Sequence, residues 1–141
     1  MIYKLLLIDI GGTNMRHAIA SSDSDEITNI YKTALINMDE FEENLQDLID
    51  KNSIDILIAS VAGPNINNSI SMTNRNYIFD TNQILEKFNL KNCYLLNDWE
   101  AIAYSHDYIK DSVKNIKEGE AFNKNTLYVG PGTGLGAALS I

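Results

Sequence analysis

Short apolar runs and polar turns alternate along the chain and predict an α/β domain. Lys4–Ile8 and Ile54–Val61 are continuous apolar runs, typical of strands buried inside a sheet. Other apolar runs, bounded by polar or glycine-containing turns, predict strands at His17–Ala20, Ile27–Leu35, around Ile70 and Met72, at Cys93–Leu96, at Thr126–Val129 and within Ala137–Ile141.

Three segments are predicted to be helical: Asp39–Lys51, Asp80–Phe88 and Trp99–Tyr104. In the first, apolar residues recur every three or four positions, which would place them on one face of a helix. Asp39 with Glu42 resembles a capping box. Asp80 or Thr81 is expected to cap the second helix. Strands and helices in this order predict an α/β fold.

The charge and the cysteine content exclude some classes of partner and of metal site. The net charge of −8 and the pI near 4.6 disfavour nucleic acid as a partner, since phosphate binding needs clustered lysine and arginine. Cys93 is the single cysteine, which leaves no disulfide framework and no cysteine zinc site, and it is expected to be buried in a strand. His17 and His106 show no metal-ligand spacing and are expected to be structural or surface residues.

The N-terminal apolar stretch reaches an acidic residue, Asp9, after only a few positions. This stretch is too short for the apolar part of a signal peptide and far too short for a membrane span. We therefore expect a cytoplasmic protein that does not bind membranes.

A glycine pair follows the first predicted strand, and the residues around it favour phosphate binding. The segment comprises Asp9, Ile10, Gly11, Gly12 and Thr13, with Arg16 close behind. Glycines let backbone N–H groups approach an anion, while Thr13 adds a hydroxyl and Arg16 a positive charge. Asp9 is placed to engage Mg²⁺, directly or through water. Alone, the glycine pair would predict an ordinary hairpin turn.

A second glycine-rich segment, Gly130–Gly136, contains Gly132, Thr133 and Gly134. It lacks the Gly-Lys-Ser/Thr ending of a P-loop and the spacing and following helix of a dinucleotide-binding loop. The segments LIDIGGTNMRHAIA and LYVGPGTGLGAALS align at an offset of 120 residues, so the chain contains a faint internal repeat. This repeat predicts a second phosphate-binding hairpin.

Asn97 and Asp98 lie between a predicted strand and a predicted helix. In that position Asp98 could simply cap the helix. It could also be the general base that phosphoryl transfer to an alcohol requires, and the two roles are compatible. The loop with Thr73 and Asn74 has only ordinary turn chemistry by itself.

Together these segments resemble the bacterial glucokinase family of the hexokinase, Hsp70 and actin superfamily. The matching pieces, in the order the family has them, are DIGGTNMR (9–16), AGP (62–64), MTN (72–74), LLNDWEAIA (95–103) and GPGTGLGAA (130–138). The resemblance implies an actin-like ATPase (ribonuclease H-like) lobe with a mixed sheet and flanking helices, and transfer of a phosphoryl group from ATP, with Mg²⁺, to glucose.

The resemblance also implies roles for individual residues. Asp9–Thr13 would form the first phosphate-binding hairpin, and Gly132–Gly134 would contribute to the second. Asp98 would take the proton from the 6-hydroxyl of the sugar, and Asn97 would bind a hydroxyl beside it. Thr73 and Asn74 would line the sugar pocket.

Relative to the family the chain is short, and we expect an N-terminal fragment with weak or no activity of its own. The expected division is a small lobe at 1–108, followed by a connector and the first hairpin of a second lobe at 109–141. The alternatives are a ROK-type sugar kinase or sugar-sensing relative, or a non-catalytic lobe that serves as a binding or assembly module. The sequence leaves open the hexose, a donor such as polyphosphate or ADP, and a homodimer.

Overall fold

The computed structural model describes residues 1–34, 37–72, 75–131 and 135–141. The chain forms two compact units, Met1–Asn97 and Asp98–Ile141. Residues 98–108 therefore lie in the second unit, whereas the sequence-based expectation assigns them to the first lobe. The reason is that the helix that begins at Asp98 packs on the C-terminal hairpin. The division of the whole protein into two lobes stays a prediction.

The strands are β1 (Lys4–Ile10), β2 (Asn14–Ser21), β3 (Ser24–Ala34), β4 (Ile56–Val61), β5 (Asn65–Ile66), β6 (Ser69–Ser71), β7 (Ile78–Asp80), β8 (Asn92–Asn97), β9 (Thr126–Pro131) and β10 (Leu135–Ser140). The helices are α1 (Met38–Asn52), α2 (Thr81–Phe88), α3 (Asp98–Tyr104) and α4 (His106–Ile109), with a 3-10 turn at Lys110–Ser112.

Among the described residues of the first unit, five strands form a mixed sheet in the order β3-β2-β1-β4-β8. β1, β2 and β3 form an antiparallel meander, and β1, β4 and β8 run parallel. Ile10 is in register with Val61, and Val61 with Asn97. The three parallel strands consequently end side by side at one edge of the sheet.

The core lies between one face of this sheet and the two longer helices. Alternate residues of β1 are buried, as the period of two along a strand requires. α1 contributes Phe41, Leu45 and Ile49, and α2 contributes Ile84 and Phe88. These residues form one cluster with the buried residues of β1, β4 and β8.

Cys93 is buried in β8, as expected. Its surroundings raise the pKa of the thiol to about 12, because burial disfavours the thiolate. The side chain therefore behaves as a small apolar residue of the core.

The predicted cap of α1 is wrong, whereas that of α2 is confirmed. Asn37 caps α1, and its Oδ1 accepts a hydrogen bond from the backbone N–H of Glu40 at 2.8 Å. The helix begins earlier than predicted because Asn37 is already in the extended conformation that an N-cap needs. Asp80 caps α2 and accepts from the N–H groups of Asn82 and Gln83.

Glu42 has no capping role and links three elements instead. Its carboxylate accepts a hydrogen bond from the Tyr77 hydroxyl, ahead of β7, and pairs with Lys87 of α2. These contacts, the Lys87 hydrogen bond first, lower the pKa of Glu42. The pKa of Tyr77 is raised, mainly by its own burial and also by the carboxylate.

The segment after β4 folds into a small three-stranded sheet, β5-β6-β7. β5 and β6 are joined by Asn67 and Asn68, both with positive φ (53° and 61°), a backbone that a two-residue hairpin turn requires and asparagine tolerates. The sequence pattern predicts one short strand around Ile70. The neighbouring strands are too short for a period of two to identify them.

The second unit consists of the antiparallel β9–β10 hairpin with α3 and α4. The β1–β2 and β9–β10 pairs are both antiparallel hairpins, as the internal repeat predicts. A search of the described parts of the chain for a helix that is long and apolar enough to cross a membrane finds none.

The Glu42 contacts predict a pH-dependent stability. Since the folded-state pKa of Glu42 is lowered, its contribution to stability is present above the ordinary value of 4.5 and is lost as pH falls through the lowered pKa. Glu42→Gln should therefore lower the free energy of unfolding at neutral pH and change it little in strong acid, as measured by urea denaturation. Glu43→Gln, at an exposed neighbouring position, is the control. Equal losses at both pH values would contradict the assignment.

Candidate functional site

Polar side chains gather where β1, β4 and β8 end together. Asp9 of β1 is in register with Ser60 of β4, and the Ser60 hydroxyl lies 3.5 Å from Asp9 Oδ1. Ala62 extends the pairing beyond β4, because its N–H donates to the Ile10 carbonyl at 3.2 Å. Asn97, the last residue of β8, lies along the same edge. The parallel pairing thus assembles groups that are far apart in the chain.

The turn between β1 and β2 is a short hairpin closed by Ile10 opposite Met15. Inside it, the Gly11 N–H donates to the Asn14 carbonyl at 3.0 Å, and the Asn14 amide donates to Thr13 Oγ1 at 2.9 Å. These bonds fix the hairpin loop.

Arg16 and Asp9 face each other across this hairpin. A guanidinium nitrogen of Arg16 lies 2.7 Å from Asp9 Oδ2. The two side chains are 59% and 46% exposed, so water screens the pair and it stabilises the fold by about 0–1 kcal/mol at most. A positive and a negative group are thus held at the hairpin mouth, accessible to solvent.

The described residues around Gly11 would allow a larger side chain at this position. Its φ is not positive, and a Cβ there would come no closer than 3.7 Å to the Asn14 carbonyl oxygen, an ordinary contact. Neither backbone conformation nor packing against the described residues therefore explains the glycine. An anion that approaches the hairpin backbone closely would explain it.

Gly63, by contrast, is required by packing. A Cβ there would lie 2.2 Å from the Ser71 carbonyl oxygen, since β6 runs close beside the loop after β4. The Gly63 carbonyl accepts a hydrogen bond from Asn97 Nδ2 at 2.7 Å. Asn97 is thereby oriented at the end of β8.

Arg75 ties the first hairpin to the loop that precedes β7. Its Nε donates to the Gly12 carbonyl at 3.1 Å. The first hairpin is therefore tied to a residue that directly follows Thr73 and Asn74 in the sequence. Arg75 is absent from the residues predicted from the sequence, because nothing in its local sequence indicates a contact with residue 12.

Asp98 is a residue of α3 itself, not only the cap before it. Its Oδ1 accepts from the Trp99 N–H at 3.0 Å, and the side chain is half-buried. The carboxylate stands at the N-terminal end of the helix.

Gly130 and Gly136, the first and last residues of the second glycine-rich segment, make room for the side chain of Trp99. A Cβ on Gly130 would fall 1.8 Å from the six-membered ring of Trp99, and one on Gly136 would fall 1.6 Å from the indole nitrogen. The two glycines are register partners on β9 and β10. They form a slot for the Trp99 indole. The phosphate-binding role of Gly132, Thr133 and Gly134 stays a prediction.

The predicted site residues divide into three groups. Asp9, Ile10, Gly11, Gly12, Thr13 and Arg16 share the first hairpin, and Asn97 lies at the same sheet edge. Asp98 follows directly in the chain and begins the second unit. Thr73, Asn74, Gly132, Thr133 and Gly134 lie outside the described residues.

Asp9 is the metal candidate on the first hairpin. In the described ranges no three histidine, cysteine, aspartate or glutamate side chains come together in a cluster that could hold a metal. A single exposed carboxylate fits Mg²⁺, which commonly takes one or two protein carboxylates and completes its shell with phosphate oxygens and water.

Comparison with known proteins identifies the family. The sequence profile of glucokinase matches residues 6–141. The chain belongs to the glucokinase family. This assignment favours glucokinase over the ROK-type alternative.

Curated glucokinases match nearly all of the chain. The glucokinase of Colwellia psychrerythraea is 36% identical, over 94% of the chain and 42% of that protein. The glucokinase of Saccharophagus degradans is 32% identical, over 97% of the chain and 45% of that protein. The chain thus spans less than half the length of these relatives.

A solved glucokinase shows the same fold. The crystal structure of glucokinase from an Antarctic psychrotroph superposes with a TM-score of 0.74 at 25% identity, over 96% of the chain and 45% of that structure. The expected fold, an actin-like ATPase lobe with a mixed sheet and flanking helices, is confirmed.

The two site glycines should respond differently to a methyl group. Gly63→Ala should lower the free energy of unfolding by about 1–3 kcal/mol, because the Cβ overlaps the Ser71 carbonyl. Gly11→Ala should change it by less than about 0.5 kcal/mol. Gly119→Ala, where a Cβ would have no described atom within 4 Å, is the control in urea denaturation. A large loss in Gly11→Ala would mean that the fold itself requires Gly11.

Proposed function

We propose that the protein acts in the ATP-dependent phosphorylation of glucose at its 6-hydroxyl, as a glucokinase. The observation that supports this most directly is the Asp9–Arg16 hairpin. Its Gly11 is not explained by the described part of the fold, and it lies on the sheet edge that also carries Asn97. Membership of the glucokinase family supports the same activity.

The first hairpin would hold the phosphates of ATP. The backbone around Gly11 and Gly12, the Thr13 hydroxyl and the Arg16 guanidinium are the groups that would contact them. Gly132, Thr133 and Gly134 would contribute from the second hairpin. Release of Arg16 from its exposed pair with Asp9 costs little, so the guanidinium can turn to a phosphate.

Asp9 would hold Mg²⁺, directly or through water. When bound, the metal neutralises charge on the phosphate oxygens, as in other phosphoryl-transfer enzymes. The side chain of Asp9 is 46% exposed, so the carboxylate is accessible to a cation.

Asp98 would be the general base. Its carboxylate takes the proton of the 6-hydroxyl while that oxygen bonds to the γ-phosphorus, and the bond from the γ-phosphorus to the bridging oxygen breaks, leaving ADP with the electron pair. Asn97, oriented by the Gly63 carbonyl, would bind a sugar hydroxyl. Thr73 and Asn74 would line the sugar pocket.

The remaining assignments follow from this activity. ATP and glucose are the expected small-molecule partners, and the cytoplasm, where ATP is abundant, is the expected compartment. A homodimer stays a prediction that light scattering can test.

A second candidate function is a binding module. On β9 and β10 the side chains of Leu127, Val129, Leu135 and Leu139 are at least half exposed, which leaves apolar surface available to a partner. Gel filtration tests the module: a stable complex would favour it, whereas a clean monomer with little exposed apolar surface would count against it.

The base assignment predicts the effect of Asp98→Asn in a coupled ATP–glucose assay, run on this chain and on any longer product of the same gene. The variant should lower kcat by about 10²–10⁴-fold, because an amide cannot accept the proton. Asp25→Asn, on the exposed edge strand β3, should leave the rate unchanged. Activity that survives Asp98→Asn would contradict the role of Asp98 as the base.

A further inference from the structure

We propose that Trp99 is a positioning residue, through which the β9–β10 hairpin sets the place of the Asp98 carboxylate. The inference rests on the proposed function, in which Asp98 is the base and the same hairpin carries part of the phosphate site. It concerns contacts within Asp98–Ile141 only.

The indole of Trp99 spans both strands of the hairpin. The Cβ that Gly130 lacks would meet the six-membered ring, at Cη2 and Cζ2, both 1.8 Å away. The Cβ that Gly136 lacks would meet the five-membered ring, 1.6 Å from Nε1 and 2.2 Å from Cδ1. Because these glycines are directly opposite each other, one ring system bridges β9 and β10.

Asp98 is linked to Trp99 by a hydrogen bond as well as by the peptide bond. Its Oδ1 accepts the N–H of Trp99, so the carboxylate rests on the backbone that the indole anchors. In α3, all of whose residues are described, no side chain is fully buried, so the helix has no deep apolar anchor of another kind. A tryptophan has only two side-chain torsions, so a seated indole holds its own backbone closely.

The hairpin also holds the far end of this helical segment. His106, the first residue of α4, contacts the Tyr128 hydroxyl of β9 through its Nδ1 atom. The ring centroids lie 5.8 Å apart in an edge-to-face arrangement. The segment that begins with Asp98 is therefore tied to the hairpin near both of its ends, and Trp99 is the tie nearest the carboxylate.

In the sequence, residues 132–134 lie between the two strands that hold the indole. The position of β9 and β10 would therefore set the position of the Trp99 backbone, and with it that of the Asp98 carboxylate.

Trp99→Ala, Trp99→Phe and Gly136→Ala test the role by steady-state kinetics, with Gly119→Ala as the control. Trp99→Ala should lower kcat per folded molecule by about 10²-fold, the cost of a misplaced catalytic group, with KM for glucose and ATP little changed. Gly136→Ala should lower kcat in the same way. Trp99→Phe should keep most of the kcat of the unchanged protein. The folded fraction comes from circular dichroism.

An unchanged kcat per folded molecule in Trp99→Ala would overturn the proposal. So would a loss of the same size in Trp99→Phe, since an aromatic ring in the slot should suffice for positioning.

Because this chain is expected to have weak or no activity of its own, the kinetics are measured on a longer product of the same gene. Failure of the proposed function would be visible separately, as absence of turnover in that product without substitutions. The positioning role is then decided without turnover, by the backbone amide signal of Asp98 in NMR spectra. Gly136→Ala should shift this signal and Gly119→Ala should not. A signal that Gly136→Ala leaves in place would overturn the role of Trp99.

Discussion

The parallel pairing of β1 with β4 and of β4 with β8 is the constraint on which the candidate site depends. Backbone hydrogen bonds place Ile10, Val61 and Asn97 in one row, so three chain segments leave the sheet at the same edge. Parallel strands need long crossover connections, and here α1 and α2 supply them while covering the core. The polar residues at the strand ends are therefore brought together by the parallel pairing of the strands that carry them.

Glycine serves two purposes in this chain, and only the surroundings distinguish them. Gly63, Gly130 and Gly136 each make room for another part of the protein, a backbone carbonyl in one case and an indole in the others. Gly11 makes room for no described residue of the fold. The lack of such a packing role favours a functional role for Gly11 on the first hairpin. The space left by Gly130 and Gly136 lets the second hairpin hold α3, the helix that carries Asp98.

The apolar runs and helical spacing in the sequence predict most strands and both longer helices, because burial of an apolar face leaves a local pattern in the residues. Features that depend on distant partners leave no such pattern. The contact of Arg75 with Gly12 and the slot for Trp99 both join residues that are far apart in the sequence. The Asn37 cap is local, but Asp39, two residues on, is also of a type that caps helices, so residue type alone does not decide between them. Of the site, the hairpin residues and Asn97 are found together, while residues 73–74 and 132–134 lie outside the described chain.

The central claim is that the Asp9–Arg16 hairpin binds the phosphates of ATP. Titration of the isotope-labelled protein with ATP and Mg²⁺, followed by backbone amide NMR, tests it most directly. The amide signals of Gly11, Gly12 and Thr13 should shift saturably, while those of the exposed edge strand β3 stay in place. Saturable shifts confined to other parts of the protein, or no shifts at millimolar ATP, would contradict the claim.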